Sequence, residues 1–168
     1  MDARNKRSLT LNLKRAEGIA ILRQLVEASD VYITNQPLPM RRALSLNYED
    51  IRSINPAIIY ASLTAYGENG PDRDGEGFDL VAYWARSGLM DLVRDAEAKP
   101  AMALPGMGDH PTAVSLYASI VTALLHRERT GEGSMVHLTV IVFSSLLELS
   151  EHGILKHEQN FTLFVPVG

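Results

Sequence analysis

Residues 30–63 decide the fold class, and they read DVYITNQPLPMRRALSLNYEDIRSINPAIIYASL. Two apolar runs, Asp30 to Thr34 and Ile58 to Leu63, are rich in β-branched and aromatic residues, which is typical of strands. Between them, Met40 to Ile54 predicts one or two short helices, which Asn55-Pro56 would end. Strands separated by helical segments imply parallel pairing with the helices packed on the sheet.

The flanking sequence continues this alternation in both directions. On the N-terminal side, Leu9 to Leu13 alternate with polar residues, which predicts a half-buried strand, and Ala16 to Ala28 have the period of an amphipathic helix. On the C-terminal side, Pro111 to Arg129 predicts the strongest helix and Met135 to Val140 another strand. We therefore predict an α/β fold with a parallel sheet.

Two loops interrupt the pattern. Residues 67–77 contain four glycines and one proline, and a second loop runs through Pro100, Pro105 and Gly108. Phe78 to Leu89, between these loops, predicts a further helix. Beyond Val140 we expect one more apolar helix and then little pattern.

The composition excludes several classes of protein. The chain of 168 residues has a net charge of -4, which gives no global reason to bind nucleic acid. It has no cysteine and no H-E-x-x-H motif, so we expect neither disulfides nor a metal site. No apolar run approaches the roughly 20 residues that span a bilayer, and no secretory signal is recognisable. We expect a soluble, cytoplasmic protein without a membrane partner.

Asp109 is the strongest candidate for chemistry. It follows Gly106-Met107-Gly108 at the start of the long apolar helix. A carboxylate there would accept hydrogen bonds from free helix N–H groups and interact with the helix dipole, and both effects would keep it ionised. An ionised carboxylate can attack an activated acyl group. The position also suits an ordinary N-cap, which is the commoner role of Asp at a helix start.

A basic run near the N-terminus is a second candidate. Arg4, Lys6 and Arg7 precede the strand predicted at Leu9 to Leu13, and Lys14 and Arg15 follow it. Positive charge beside the end of a sheet suits the phosphates of a nucleotide. A solvated N-terminal arm is the alternative explanation.

Short motifs spread along the chain, taken in their order, carry a family resemblance. They are Asn5-Lys6-Arg7-Ser8, Leu11 to Lys14, Glu17-Gly18, Ala28 to Val31, Asn35, Leu44 to Tyr48, Ile54 to Pro56, Ile59 to Ser62, Tyr66-Gly67, Gly70-Pro71, Gly77 to Asp79, Gly108-Asp109 and His126 to Gly133. This ordered set resembles the family III CoA-transferases, which include formyl-CoA and related acyl-CoA transferases and 2-methylacyl-CoA racemases.

The resemblance implies an acyl-CoA:carboxylate CoA-transferase whose nucleophile is Asp109. In that family the aspartate forms a mixed anhydride with the acyl group and then a thioester with CoA, before the acceptor carboxylate completes the exchange. The resemblance also puts Asn5, Lys6, Arg7 and Asn35 near the CoA nucleotide. Acyl-CoA and a carboxylic acid would be the substrates, no further cofactor is implied, and the family forms interlocked homodimers.

The implied architecture is a Rossmann-like parallel sheet with flanking helices, as an incomplete large domain of the family fold. Residues 1–140 would form this partial domain, and residues 141–168 a divergent C-terminal segment. The family also implies that the chain starts after an opening strand and helix and ends before a glycine-rich loop that closes over the site.

Two departures from the family pattern affect the interpretation. Gln36-Pro37 replaces Phe-Arg after Asn35, and the basic residue usual a few positions later falls beside Ala43, with Arg41 and Arg42 nearby. Racemases carry a histidine base where this chain has Phe78, which favours a transferase. A racemase, or an inactive fragment that binds only CoA or a partner chain, remains the alternative.

Overall fold

The structure is a computed structural model that describes residues 5–140. The helices are α1 (Ala16–Glu27), α2 (Leu38–Leu44), α3 (Tyr48–Ile54), α4 (Leu89–Leu92), α5 (Asp109–Thr130) and a π-helix (Asp79–Ala85), and the strands are β1 (Val31–Thr34), β2 (Ile59–Thr64) and β3 (Ser134–Thr139). Arg4 and the helix expected after Val140 lie outside the described residues.

The three strands form one parallel sheet in the order β1-β2-β3. Val31 pairs with Ile59, and Ile59 pairs with Ser134, so the strands begin at nearly the same level. This sheet confirms the predicted α/β class. Because the strands are parallel, their C-terminal residues lie along one side of the sheet, which we call the carboxyl edge.

Both faces of β2 are buried, as expected for the central strand of a parallel sheet. On one face, Ile59 and Ala61 belong to a cluster with apolar residues of α5 and β3. On the other, Tyr60 packs with Val26 of α1 and Ile51 of α3. Each fully buried aliphatic side chain stabilises the fold by roughly 1.5–3 kcal/mol, so this two-sided packing holds the sheet and its helices together.

The link from α5 to β3 fixes the direction of that helix. Gly131 ends α5 with φ of 80°, and its N–H donates to the Arg127 carbonyl at 2.7 Å. A Cβ on Gly133 would lie 2.5 Å from the carbonyl oxygens of Pro56 and Ile58, so glycine lets β3 start close beside β2. Since α5 packs back along β3, its first turn lies toward the carboxyl edge.

The strand predicted from Leu9 to Leu13 is wrong. This segment pairs with none of the strands within residues 5–140, and Leu9 is 61% exposed. The backbone turns instead at Asn12, whose carbonyl accepts from Arg15 N at 3.0 Å and whose side chain accepts from Lys14 N at 3.0 Å. Gly18 packs directly against the Asn12 backbone. The segment therefore leads into α1 without joining the sheet.

The helix predicted from Phe78 to Leu89 is instead the π-helix, which ends at Ala85, and α4 begins only at Leu89. Arg86 N donates to Val81 O at 2.9 Å, an i to i−5 bond that gives the wide turn. Three consecutive residues, Ala82, Tyr83 and Trp84, are buried. Gly88, with φ of 92°, then separates the π-helix from α4.

No helix in residues 5–140 is both long and apolar enough to cross a membrane. Within the same range, no three His, Cys, Asp or Glu side chains are grouped to hold a metal ion.

Candidate functional site

Asp109 is the first residue of α5, and Gly108 occupies the N-cap position. The side chain of Asp109 is exposed, and within residues 5–140 it accepts no hydrogen bond from the helix backbone. The expectation that Asp109 caps the helix is therefore wrong, because the residue lies one position too far along the chain. Its exposed carboxylate is therefore not bound to the helix N–H groups that a cap would bind.

Gly108 is held from three sides. Its N–H donates to Asp79 Oδ1 at 2.8 Å, and its carbonyl accepts from the backbone N and Oγ1 of the buried Thr112 at 3.1 and 2.6 Å. A Cβ at this position would lie 2.3 Å from Tyr83 Cγ and 2.4 Å from Asp79 Oδ1. Glycine is required by this close approach. The backbone that enters Asp109 is thus fixed against the π-helix.

The pKa of the Asp109 carboxyl is raised above its ordinary value. Loss of surrounding water is the larger cause, and the negative charge of Asp79 raises the pKa further, while His110 lowers it. The positive end of α5 acts in the opposite direction and should favour the anion. The expectation that the helix start keeps Asp109 ionised stays a prediction.

Asp79 was not among the residues that the sequence singled out for chemistry. It is the first residue of the π-helix, and its Oδ2 is buried without a hydrogen-bond partner in the described part of the chain. A repeated pattern could have revealed it. Both aspartates follow a Gly-x-Gly run at the start of a helix, although Phe78 separates Gly77 from Asp79, whereas Gly108 directly precedes Asp109.

The loops that enter the two aspartates also carry exposed apolar residues. Gly106 has φ of 78° and lies against the ring of His110, so the loop before Asp109 folds back on the helix start. The Trp84 indole donates to the Ala101 carbonyl at 2.7 Å and ties the same loop to the π-helix. The exposed apolar side chains on these loops are Phe78, Met102, Leu104 and Met107.

The residues expected to hold CoA lie on the surface. Asn35 follows the last residue of β1, at the carboxyl edge, and is exposed. Asn5, Lys6 and Arg7 are exposed in the segment before α1. Within residues 5–140, Asn5, Arg7 and Asn35 form no side-chain hydrogen bond or ion pair, so no such contact joins them to Asp109.

Arg41, which lies near the position where the family usually has a basic residue, is buried. It is 1% exposed and forms a 2.7 Å ion pair with Glu68, with further bonds to Tyr60 Oη at 3.1 Å and Ser62 Oγ at 3.2 Å. Although burial opposes it, hydrogen bonds from Ser62 and Arg41 lower the pKa of Glu68. The Arg41 side chain is therefore bound in the interior of the protein. Arg42 is exposed and lies 3.9 Å from Asp74.

An open depression of about 350 Å³ lies away from Asp109, at the opposite edge of the sheet. It is lined by residues that precede β2 and β3, including Asn55, Ala57 and Gly133. Ligands of open parallel sheets bind outside the carboxyl ends of the strands. The position of Asp109 fits that rule, and the depression does not.

Known proteins are similar to this chain over a range that includes the sheet and both aspartates. The model of the family named CoA-transferase family III matches residues 1–161. An (R)-2-hydroxy-4-methylpentanoate CoA-transferase of Clostridioides difficile is 30% identical over 154 residues, which are 89% of this chain and 39% of that protein. The succinyl-CoA:glutarate CoA-transferase of Mus musculus is 36% identical over 138 residues, 82% of this chain and 31% of that protein.

The fold is similar to that of solved structures. The crystal structure of Rv3272 from Mycobacterium tuberculosis matches with a TM-score of 0.83 at 30% identity, covering 94% of this chain and 44% of that one. The chain thus spans less than half the length of the relatives it matches. The family match covers nearly all of its residues, and the chain belongs to CoA-transferase family III.

Proposed function

We propose that this chain is the nucleophile-bearing part of an acyl-CoA:carboxylate CoA-transferase, with Asp109 as the nucleophile. The relatives support the reaction class, because their names describe CoA transfer to a hydroxy acid or between succinyl-CoA and glutarate. The substrates would accordingly be an acyl-CoA and a free carboxylic acid. The resemblance also supports a homodimer, and we propose a cytoplasmic location from the composition of the sequence.

The observation that carries the proposal is the state of the Asp109 carboxylate. It is exposed at the start of a 22-residue helix, and its backbone is anchored through Gly108. Its raised pKa makes the anion more basic, and the nucleophilicity of an anion rises with its basicity. A fixed, basic and accessible carboxylate is suited to attack a thioester carbonyl.

The reaction would proceed by exchange at this carboxylate. Asp109 attacks the thioester carbonyl, a mixed anhydride forms and CoA leaves as the thiolate. The thiolate then attacks the Asp109 carbonyl, which releases the first carboxylate and leaves an aspartyl-CoA thioester. The acceptor carboxylate attacks that thioester, and the returning thiolate takes the new acyl group and regenerates Asp109. No net proton is consumed.

Phe78 is the argument against a racemase. Removing the proton next to a thioester carbonyl requires a base, and a phenyl ring cannot accept a proton. Phe78 is exposed immediately before Asp79, where the family resemblance expects the racemase histidine. The transferase is the function better supported by this position.

Asn5, Lys6, Arg7 and Asn35 are the proposed contacts to the CoA nucleotide. All four side chains are exposed, and two cations and two amides can bind phosphate groups and base edges, which supports the proposal. The family resemblance, which puts all four residues near the CoA nucleotide, is the other support.

The test is covalent capture of CoA at Asp109. The chain is incubated with succinyl-CoA, digested, and the peptide that contains residue 109 is weighed by mass spectrometry. We expect an added CoA group on that peptide, and its loss in Asp109→Asn. Asp95→Asn, which changes an exposed loop carboxylate, serves as the matched control. Equal labelling of Asp109→Asn and the unchanged protein would remove the nucleophile assignment.

A further inference from the structure

Asp79 and Asp109 each begin a helix, and the two helix starts are joined through Gly108. Asp79 Oδ1 accepts the Gly108 N–H at 2.8 Å across 29 residues of sequence. The other oxygen, Oδ2, is buried and has no hydrogen-bond partner among residues 5–140. A buried carboxylate oxygen without a partner is costly, so its presence here needs an explanation.

We propose that Asp79 is the positioning residue for Asp109: its Oδ1 fixes the peptide that precedes the nucleophile, and its charge acts on the nucleophile's carboxylate. The inference rests on the proposed function of Asp109. It assigns to Asp79 no contact with the substrate. The two effects, a hydrogen bond and a charge, are separable by substitution.

The hydrogen bond controls geometry. Gly108 also packs against the Tyr83 side chain, and its carbonyl is bound by Thr112. The Asp79 bond to its N–H therefore completes the restraint of the Gly108 backbone. Without the Asp79 acceptor, the N–H of Gly108 loses its partner, and the peptide can rotate away from the π-helix. A displacement of about 1 Å of a catalytic group can cost about a hundredfold in rate.

The charge controls basicity. Within residues 5–140, the ionisable groups whose charges act on Asp109 are Asp79 from the π-helix and His110 from α5 itself. Asp79 raises the pKa of Asp109, and His110 lowers it. Asp79 also raises the pKa of Tyr83, whose burial is the larger cause of that shift. Tyr83 therefore stays neutral near neutral pH, and Asp79 is the negative charge that acts on the nucleophile.

Asp79→Asn and Asp79→Ala divide the two effects. Asparagine keeps an oxygen that can accept the Gly108 N–H but removes the charge, whereas alanine removes both. The direct measurement is the titration of the Asp109 side-chain carboxyl carbon by NMR on the 168-residue chain, which needs no turnover. We expect the midpoint for Asp109 to move to lower pH in Asp79→Asn, and no movement in the control Asp95→Asn.

The rate of CoA capture at residue 109 provides the second measurement. We expect Asp79→Ala to be about 10- to 100-fold slower than the unchanged protein at saturating succinyl-CoA, with little change in the concentration for half-maximal rate. Asp79→Asn should recover most of this loss at neutral pH and shift the acid limb of the pH profile to lower pH. A rate close to that of the unchanged protein in Asp79→Asn, together with a slow rate in Asp79→Ala, would separate the effect of the hydrogen bond from that of the charge.

Several results would overturn the proposal. They are an unchanged Asp109 titration in Asp79→Asn, or equal capture rates in Asp79→Ala and the unchanged protein. Should Asp79→Ala fail to fold, the Asp79→Asn titration decides alone. Failure of the proposed function looks different, because capture would then persist in Asp109→Asn while the Asp79 variants still moved the Asp109 titration.

Discussion

At Asp109, two opposing effects act on one carboxylate. A helix start stabilises a nearby anion by roughly 0.3–1 kcal/mol, whereas loss of water and the charge of Asp79 disfavour the anion, and the pKa is raised. A carboxylate held in this way is a better nucleophile, but its charge destabilises the folded chain once it ionises.

Asp109→Asn should therefore stabilise the protein at neutral pH. A carboxyl with a raised folded-state pKa stabilises the fold below its unfolded pKa, and this contribution is lost as pH rises through the folded value. Asparagine is uncharged both below the unfolded pKa and above the folded pKa, so the variant does not lose this contribution. We expect the melting temperature of Asp109→Asn to exceed that of the unchanged protein near pH 7, by a few degrees at most because the group is exposed.

The difference should disappear at acid pH, where Asp109 is protonated in both the folded and the unfolded chain. Asp95→Asn is the control for loss of one negative charge and should show no such pH dependence. An Asp109→Asn protein that is less stable at neutral pH would mean that the carboxylate stabilises the helix start after all.

Among the elements, those with a strong apolar period were predictable from the sequence. The helix expected at residues 16–28 is α1 at Ala16–Glu27, and the one expected at residues 111–129 is α5 at Asp109–Thr130. The strand at Leu9 to Leu13 fails because alternation describes one chain segment, whereas a strand needs a neighbour. The π-helix depends on how Tyr83 and Trp84 pack, which a local pattern does not contain.

The candidate site was predictable in the same limited way. The glycine-rich entry to a long helix is local, so Asp109 could be found from sequence. Its partner Asp79 is 29 residues away, and only the packing of the π-helix on the start of α5 brings the two together. The burial of Arg41 could not be predicted for the same reason, because its partners are distant in sequence. Tyr60 of β2 and Glu68 of the following loop bind it. The CoA contacts stay a prediction.

The buried Arg41–Glu68 pair should be costly to break from one side. Glu68→Gln leaves the guanidinium of Arg41 inside the protein without a charged partner, which costs about 3 kcal/mol in the free energy of unfolding. Arg41→Met combined with Glu68→Gln removes both charges, so we expect the double variant to recover to within about 1 kcal/mol of the unchanged protein. Urea denaturation measures both values.

An exposed ion pair provides the matched control. Asp91 bonds to Arg94 at 2.6 Å but is 74% exposed. Asp91→Asn should therefore change the free energy of unfolding by less than about 1 kcal/mol. Equal effects of Glu68→Gln and Asp91→Asn would show that burial does not strengthen the Arg41 pair.

For the whole molecule, the charge distribution matters more than its sum. The net charge is -4, yet the exposed segment before α1 is basic at Lys6 and Arg7. Such a cluster gives an anionic ligand a local attraction that the overall charge does not provide, and salt weakens it. The division into residues 1–140 and 141–168 stays a prediction, and the family match extends to residue 161.

Lys6→Glu combined with Arg7→Glu should weaken CoA binding without unfolding the protein. A hydrogen bond to a charged group contributes about 1.5–3 kcal/mol, so loss of even one phosphate contact raises the dissociation constant by about tenfold or more. Both side chains are exposed, so the melting temperature should hardly change. Isothermal titration calorimetry with CoA at low and physiological salt measures the affinity.

The control is Arg23→Glu with Lys99→Glu, two exposed cations elsewhere, which changes the net charge equally. If both double variants lose the same affinity, the effect is one of overall charge, and the basic segment is only a solvated arm.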